Sequence, residues 1–414
     1  MDLLVADWMP LLYGFNPARD GNLAKDLTAY AWNGVEAFLN TGGKVCVFCF
    51  DRTQHVPAAK SDEQIARRKT QQLAPLIGQQ TTPLTDECVL QEPWFAALQV
   101  GGIRTALIEY LTQALHRHFL TRLGEMQVHL RASARFEFIT HWGLVQRSVF
   151  TVGQQPRVTQ SSIPSYVAIG EADVGVIYWL KHFENLSAVL RVQDTDELLL
   201  AVLNHPKLKS GVARHLWLMA RTGEHTLPPG VTTTPPIMGT DRDAQRCIAA
   251  IPLSIFTVGL ERKDIISFDA LYGCIEEKFG SVDIFSILVI LQSSDFVKKI
   301  VRNVGVEPFM EEAQKLIWKY LEPQIIKDCE FDLQGLKALL KEIVAALILK
   351  GKKRAQLVDN YERECLRAWW NFVYWRTAHE GPLDPLFYPG RTDEEGRSVY
   401  GWNAEGGPPK KMRI

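Results

Sequence analysis

Apolar positions along this chain fall into two rhythms. "LLVADWM" (3–9) is a short apolar run closed by an acid. "LAKDLTAYAWNGVEAFLNTGG" (23–43) repeats at helical spacing through Leu27, Ala31, Val35 and Phe38, and Gly42 and Gly43 suit its stop. "KVCVFCF" (44–50) then reads as a buried strand. Strand, helix, strand is a βαβ opening, and it predicts an α/β fold with a parallel sheet flanked by helices.

Farther along, residues 58–124 read as mostly helical, from the basic stretch "AAKSDEQIARRKTQQ" through "GGIRTALIEYLTQALHRHFLTRL". Residues 125–151 read as short strands ("MQVHL", "FEFIT"). "VGVIYWLKHF" has helical spacing at Val174, Ile177 and Tyr178, and "SAVLRV" reads as a strand running up to Asp194. Residues 205–250, with "LPPGVTTTPPIMG", are expected to be irregular. The run "DIFSILVIL" (283–291) is strongly apolar, and "LQGLKALLKEIVAALILKGKKR" predicts an amphipathic helix stopping near Gly351. The division expected is a core over 1–305, carrying insertions at 58–165 (helical) and 200–255. A helical region at 306–378 and an extended tail at 379–414 follow.

Composition changes this picture little. Hydrophobic residues are 46% of the 414 and charged residues 22%, enough to bury a core. The net charge of −1 excludes a globally basic nucleic-acid binder, so any such role must rest on local clusters. Seven cysteines without regular spacing predict a reducing compartment, nuclear or cytoplasmic, and not a disulfide framework. Cys46 and Cys49, three apart on a strand, point to opposite faces and read as buried small residues. No signal peptide and no apolar run of about 18 residues is visible, so no membrane role is expected. The ending "PPKKMRI" offers a weak import-like basic signal.

Acids recur where elements end. Asp7 closes the first run and Asp51 follows "VCVFCF". Glu171 and Asp173 stand where a helix should begin, Asp194 and Asp196 follow "AVLRV", and Asp295 follows "ILVILQSS". Open α/β sheets place their sites at the carboxyl edge of the strands. Each acid alone reads as a turn residue or helix cap. The order E-A-D, D-T-D, S-D is what carries weight, because seven gathered anions need cations. All-oxygen donors suit Mg²⁺ or Mn²⁺. Two such ions roughly 3.5–4 Å apart can clamp the attacking and leaving oxygens of a phosphodiester.

In that order the chain resembles the flap endonuclease/XPG-like nucleases, which have a PIN-like fold. The matching stretches are "VADWMPLLYGF", "VFCFDRTQHVPAAKSDEQIARRKT", "GEADVGVIYWLKHFENLSAVLRVQDTDELLL" and "FSILVILQSSDF", the last read as an apolar strand ending before the acid. The resemblance implies structure-selective cleavage of branched or flapped DNA with two Mg²⁺ ions, which Mn²⁺ can replace. It implies metal ligation by Asp7, Asp51, Glu171, Asp173, Asp194, Asp196 and Asp295. Lys60 and Arg67 would face the scissile phosphate, where cations stabilise the charge that builds in the transition state. Lys298, Lys299 and Arg302 would contact DNA backbone. A monomer is expected, and no sliding-clamp motif is evident.

The chain departs from the family's pattern in three places. Few residues precede Asp7, Gly305 is the one glycine in the turn after the last acid, and the spacers 52–170 and 197–294 are long. Those departures keep open a catalytically inactive XPG-like scaffold or nucleic-acid-binding protein. An RNase H-like nuclease is a third reading, though that chemistry needs only three or four acids and does not require the paired E-A-D and D-T-D blocks. Three other features read more plainly. His116 and His118 fall on different helix faces and are expected at the surface. The aromatics of "RAWWNFVYWR" read as core. "KGKKR" (Lys350, Lys352, Lys353, Arg354) reads as a helix end or a DNA-backbone contact.

Overall fold

A computed structural model describes residues 2–40, 42–51, 55–57, 65, 83–90, 94–98, 101–126, 130–142, 144–162, 171–192, 195–208, 216–220, 268–294, 297–321, 326–327, 330–376, 391–392 and 398–400. The chain opens as β1 (Leu3–Asp7), α1 (Met9–Gly14), α2 (Pro17–Asp20), α3 (Ala24–Asn40) and β2 (Val45–Cys49). After β3 (His55–Pro57) come α4 (Trp94–Leu98) and α5 (Gly101–Met126), then β4 (Arg135–His141), β5 (Leu144–Thr151) and β6 (Arg157–Ser162). Next are α6 (Ala172–His182), β7 (Ala188–Val192), α7 (Thr195–Leu208) and β8 (Leu216–Ala220). The C-terminal third holds α8 (Phe268–Phe279), α9 (Val282–Ser293), β9 (Val301–Arg302), α10 (Val306–Leu321), β10 (Ile326–Lys327) and β11 (Glu330–Phe331). It continues through α11 (Leu333–Leu349), β12 (Gln356–Leu357), α12 (Tyr361–Arg376), β13 (Arg391–Thr392) and β14 (Ser398–Tyr400).

One sheet organises the molecule, in the order β6-β5-β4-β2-β1-β7-β8. The five strands from β4 to β8 are parallel, and β5 and β6 extend the β4 edge as antiparallel strands. The expected α/β sheet with flanking helices is therefore present. The chain winds outward from β1 to β2 and β4, then returns to the other side of β1 with β7 and β8. The switch point of the sheet thus lies between β1 and β7, and the carboxyl ends of the parallel strands share one edge.

Alternation along the strands splits the core in two. Leu4, Ala6, Cys46, Phe48 and Phe138 face a layer built from α3 and α5. Leu3, Val5, Val47, Cys49 and Ile139 face α6, α7 and the helices of the C-terminal third. Cys46 and Cys49 are buried on opposite faces, as their spacing predicts. Trp369, Phe372 and Trp375 of α12 are buried too, so these members of the aromatic run are core.

Three expectations need correction. The run 283–291, read as an apolar strand, is helix α9. Ser281 caps it by accepting from the Ile284 N–H at 3.4 Å, and α9 packs against α7, α8, α10 and α12. A helix enclosed on all sides shows no apolar–polar rhythm, so its period could not separate it from a buried strand. Within the stretch expected to be irregular, Leu216–Ala220 forms β8 and pairs in parallel with β7. His116 is not at the surface: it is buried between Ser148 Oγ (2.8 Å) and Thr140 Oγ1 (2.9 Å), which satisfy both ring nitrogens. Of "MQVHL", Met126 closes α5 and residues 127–129 lie outside the described ones. In the expected tail, β13 and β14 form a small sheet with β3.

Candidate functional site

The carboxyl edge is built by strand register. Asp7 lies level with Cys49 on β2, Cys49 level with His141 on β4, and Ala6 level with Arg191 on β7. Residues in one row of a parallel sheet share a face, so Asp7, Cys49 and His141 point to the side covered by α6. Gly175 of α6 lets that helix come down close. A Cβ there would stand 3.2 Å from Cys49 Sγ and 3.2 Å from His141 Nδ1. His141 Nδ1 accepts from the Trp179 indole N–H at 3.1 Å, which locks the same helix to the sheet.

Two helices point their N-termini at this edge. Glu171 is the residue before α6, yet its side chain does not cap the helix. Asp51 does so from the end of β2, accepting from the Ala172 N–H at 2.9 Å. Asp173 sits in the first turn of α6, and Asp196 and Glu197 sit in the first turn of α7. Partial positive charge at both helix ends offsets part of the repulsion among these acids. Asp7 accepts from the Met9 N–H at 2.9 Å, and the Ser294 hydroxyl donates to Asp196 Oδ2 at 3.5 Å.

The Cys49 thiol is buried beneath this edge. Burial pushes it well above the usual thiol range, and the charges of Asp7, Glu197 and Asp173 push it further. Three carboxylates, from β1, α6 and α7, therefore act on one sulfur. Glu197 is only 1% exposed and was not among the residues singled out from sequence. Its signal lay in the same "DTDELLL" segment: once a helix starts at Thr195, position 197 turns toward the core side.

Of the expected metal set, Asp7, Asp51, Glu171, Asp173 and Asp196 stand at the ends of elements that meet at this edge. Asp7 and Glu171 are buried at 7% and 5% exposure. Asp194 and Asp295 lie outside the described residues, as do Lys60 and Arg67. Lys298, Lys299 and Arg302 are described and exposed, and Arg302 pairs with Asp359 at 3.1 Å. The donors are carboxylate oxygens, hard ligands of the kind Mg²⁺ and Mn²⁺ take. Among the described residues no group of three or more His, Cys, Asp or Glu side chains is set to hold one ion, so the set fits in kind and not yet as a closed site.

No known family's sequence profile matches the chain. No curated protein matches it at a significant level. Among the described residues, no helix is long and apolar enough to cross a membrane.

Proposed function

We propose that this protein is a divalent-metal-dependent nuclease of the flap endonuclease/XPG-like kind, hydrolysing phosphodiester bonds in branched or flapped DNA. One observation carries the reading: Asp7, Asp51, Asp173, Asp196 and Glu197, from four separate elements, are delivered to one sheet edge beside the switch point. Structural needs alone call for one cap per helix and do not call for five acids. A bound Mg²⁺ or Mn²⁺ would supply Lewis-acid activation of water and neutralise the scissile phosphate. The chain's own part is to hold the carboxylates in place. Asp7 is fixed by the Met9 N–H, Asp51 by the Ala172 N–H, and Asp196 by the Ser294 hydroxyl. Lys60 and Arg67 are proposed to face the phosphate. The test is a panel of labelled flap, gap, hairpin and single-stranded substrates with Mg²⁺, Mn²⁺ or chelator. Cleavage that needs metal and vanishes in Asp7→Asn supports the reading. A folded protein that cuts none of them under any metal overturns it.

A second reading, a non-catalytic nucleic-acid-binding scaffold, has its own support. Asp7 and Asp51 already satisfy backbone N–H groups, as ordinary turn and cap residues do. Charge separates the two readings, because a cap needs only an acceptor oxygen while metal binding needs the anion.

A further inference from the structure

Three helices bring their ends to the acid edge. Near the far end of α7, the Asn204 side chain donates to the Trp375 carbonyl of α12 at 2.8 Å. Helix α9 runs the other way. Asp283 in its first turn pairs with Arg376 of α12, and Ser294 just past its end touches Asp196 of α7. A little farther on, the Lys298 N–H donates to Glu364 Oε2, early in α12, at 3.0 Å. Helices α7 and α12 are therefore parallel, and their first turns lie beside the end of α9. Asp196 and Arg367 each stand eight residues before their end of the Asn204–Trp375 contact, which puts them at one level of the bundle.

Arg367 stands out at that level. Among the described side chains it is the only lysine or arginine that is buried, at 8% exposure. It pairs with Glu364, but at 3.4 Å, longer than the about 2.7–2.9 Å of a tight charge-assisted bond. Glu364 gives its shorter bond to the Lys298 N–H. A buried cation needs negative charge around it. This end of the bundle supplies it, because Glu197 and Glu364 are buried, Asp196 is half-buried, and the carbonyl end of α9 adds partial negative charge.

We propose that Arg367 is a positioning residue of the acid edge: its guanidinium is the built-in counter-charge that holds Asp196 and Glu197 together on α7 when no metal is bound. The charge balance rests on the helix geometry alone, and the role toward metal rests on the proposed nuclease reading. Without metal, Arg367 offsets the repulsion among the α7 acids. Toward a divalent ion the same charge is a repelling neighbour, and it lowers the affinity of the edge. One residue thus keeps the edge assembled without an ion and lets a bound ion exchange.

The test is a double-variant cycle on the full chain in chelator, read by thermal unfolding. Arg367→Gln should lower the Tm. Adding Glu197→Gln or Asp196→Asn should restore at least about half of that loss, because the unbalanced anion leaves with the cation. Should Arg367→Gln not fold, Arg367→Met, which keeps an apolar stem, takes its place. A loss that neither acid variant restores overturns the inference, since it leaves Arg367 a partner of Glu364 alone. A second arm titrates Mn²⁺, following the free ion by electron paramagnetic resonance. Arg367→Gln should bind at least about tenfold tighter than the parent, and Arg367→Lys, which keeps the charge, should match the parent. In a parent that binds Mn²⁺, weaker or unchanged binding by Arg367→Gln also overturns the inference, because a purely structural residue would give that result. The two proposals fail separately. Restoration in the cycle with no Mn²⁺ bound by any variant sinks the nuclease reading alone, and Mn²⁺ binding without restoration sinks this one alone.

Discussion

Asp51 accepts a hydrogen bond from the Ala172 N–H at 2.9 Å, across 121 residues of sequence. It ties the end of β2 to the start of α6, and so sets where Glu171 and Asp173 stand relative to Asp7. One carboxylate thus has two candidate roles, cap and ligand, which substitution can separate. Asp51→Asn keeps an acceptor oxygen and should leave stability within about 0.5 kcal/mol, whereas Asp51→Ala should cost about 1 kcal/mol. On the nuclease reading both lose cleavage. Urea melts alongside the cleavage assay check this, and full activity in Asp51→Asn would assign the residue to capping alone.

Close approach of α6 to the sheet depends on Gly175. Adding a Cβ at 3.2 Å from two buried atoms overpacks the site at a cost of about 1–3 kcal/mol, against a helix-propensity gain of about 1. Gly175→Ala should therefore destabilise by roughly 1 kcal/mol. Gly273 in α8 has nothing within 4 Å of its built Cβ, so Gly273→Ala should stabilise by about 0.5–1 kcal/mol. Opposite signs in denaturant melts are the result to look for. Equal signs would mean that α6 does not pack as described.

His116 makes the fold acid-sensitive. Burial pushes its pKa down to about 3, while in the unfolded chain it titrates near 6.5. A depressed folded pKa means that the unfolded state binds the extra proton below 6.5. The neutral ring's contribution is thus complete above that pH and is lost as pH falls toward 3, at about 1.4 kcal/mol per unit. His116→Gln should be less stable at pH 8 and should flatten the loss between pH 6.5 and 4.5. A variant whose stability falls as steeply as the parent's would remove His116 from the account.

Asn204 joins the two halves of the α6-side core. Its Nδ2 donates to the Leu200 carbonyl at 2.9 Å within α7 and to the Trp375 carbonyl at 2.8 Å on α12. Asn204→Ala removes both buried hydrogen bonds and should cost about 1–3 kcal/mol. A chemical melt measures it, and a change below about 0.5 kcal/mol would show that α12 does not depend on this contact.

Legibility of the fold followed how much each segment contrasts with its surroundings. The β1–α3–β2 unit was readable because α3 has one wet face and because Gly42 and Gly43 punctuate its end. Helix α6 was readable from Val174, Ile177 and Tyr178 at helical spacing, and β7 from its apolar run. Helix α9 was misread because enclosure on all sides erases the 3.6-residue rhythm. His116 was misplaced because its partners, Ser148 and Thr140, arrive from strands that no local pattern joins to α5. At the acid edge the strand-end residues Asp7 and Asp51 were visible from position alone. Glu197 was not, since its burial depends on helix phase and on the sheet behind it.

On the nuclease reading these acids repel one another until a divalent cation joins them. The direct measurement is thermal unfolding of the parent and Asp7→Asn with and without Mn²⁺. Without metal, Asp7→Asn should melt at or above the parent, because Asn keeps an acceptor for the Met9 N–H while removing one anion. With Mn²⁺ the parent's Tm should rise and that of Asp7→Asn should not. A parent whose Tm is unmoved by Mn²⁺, together with an Asp7→Asn variant that is simply less stable, would contradict the account.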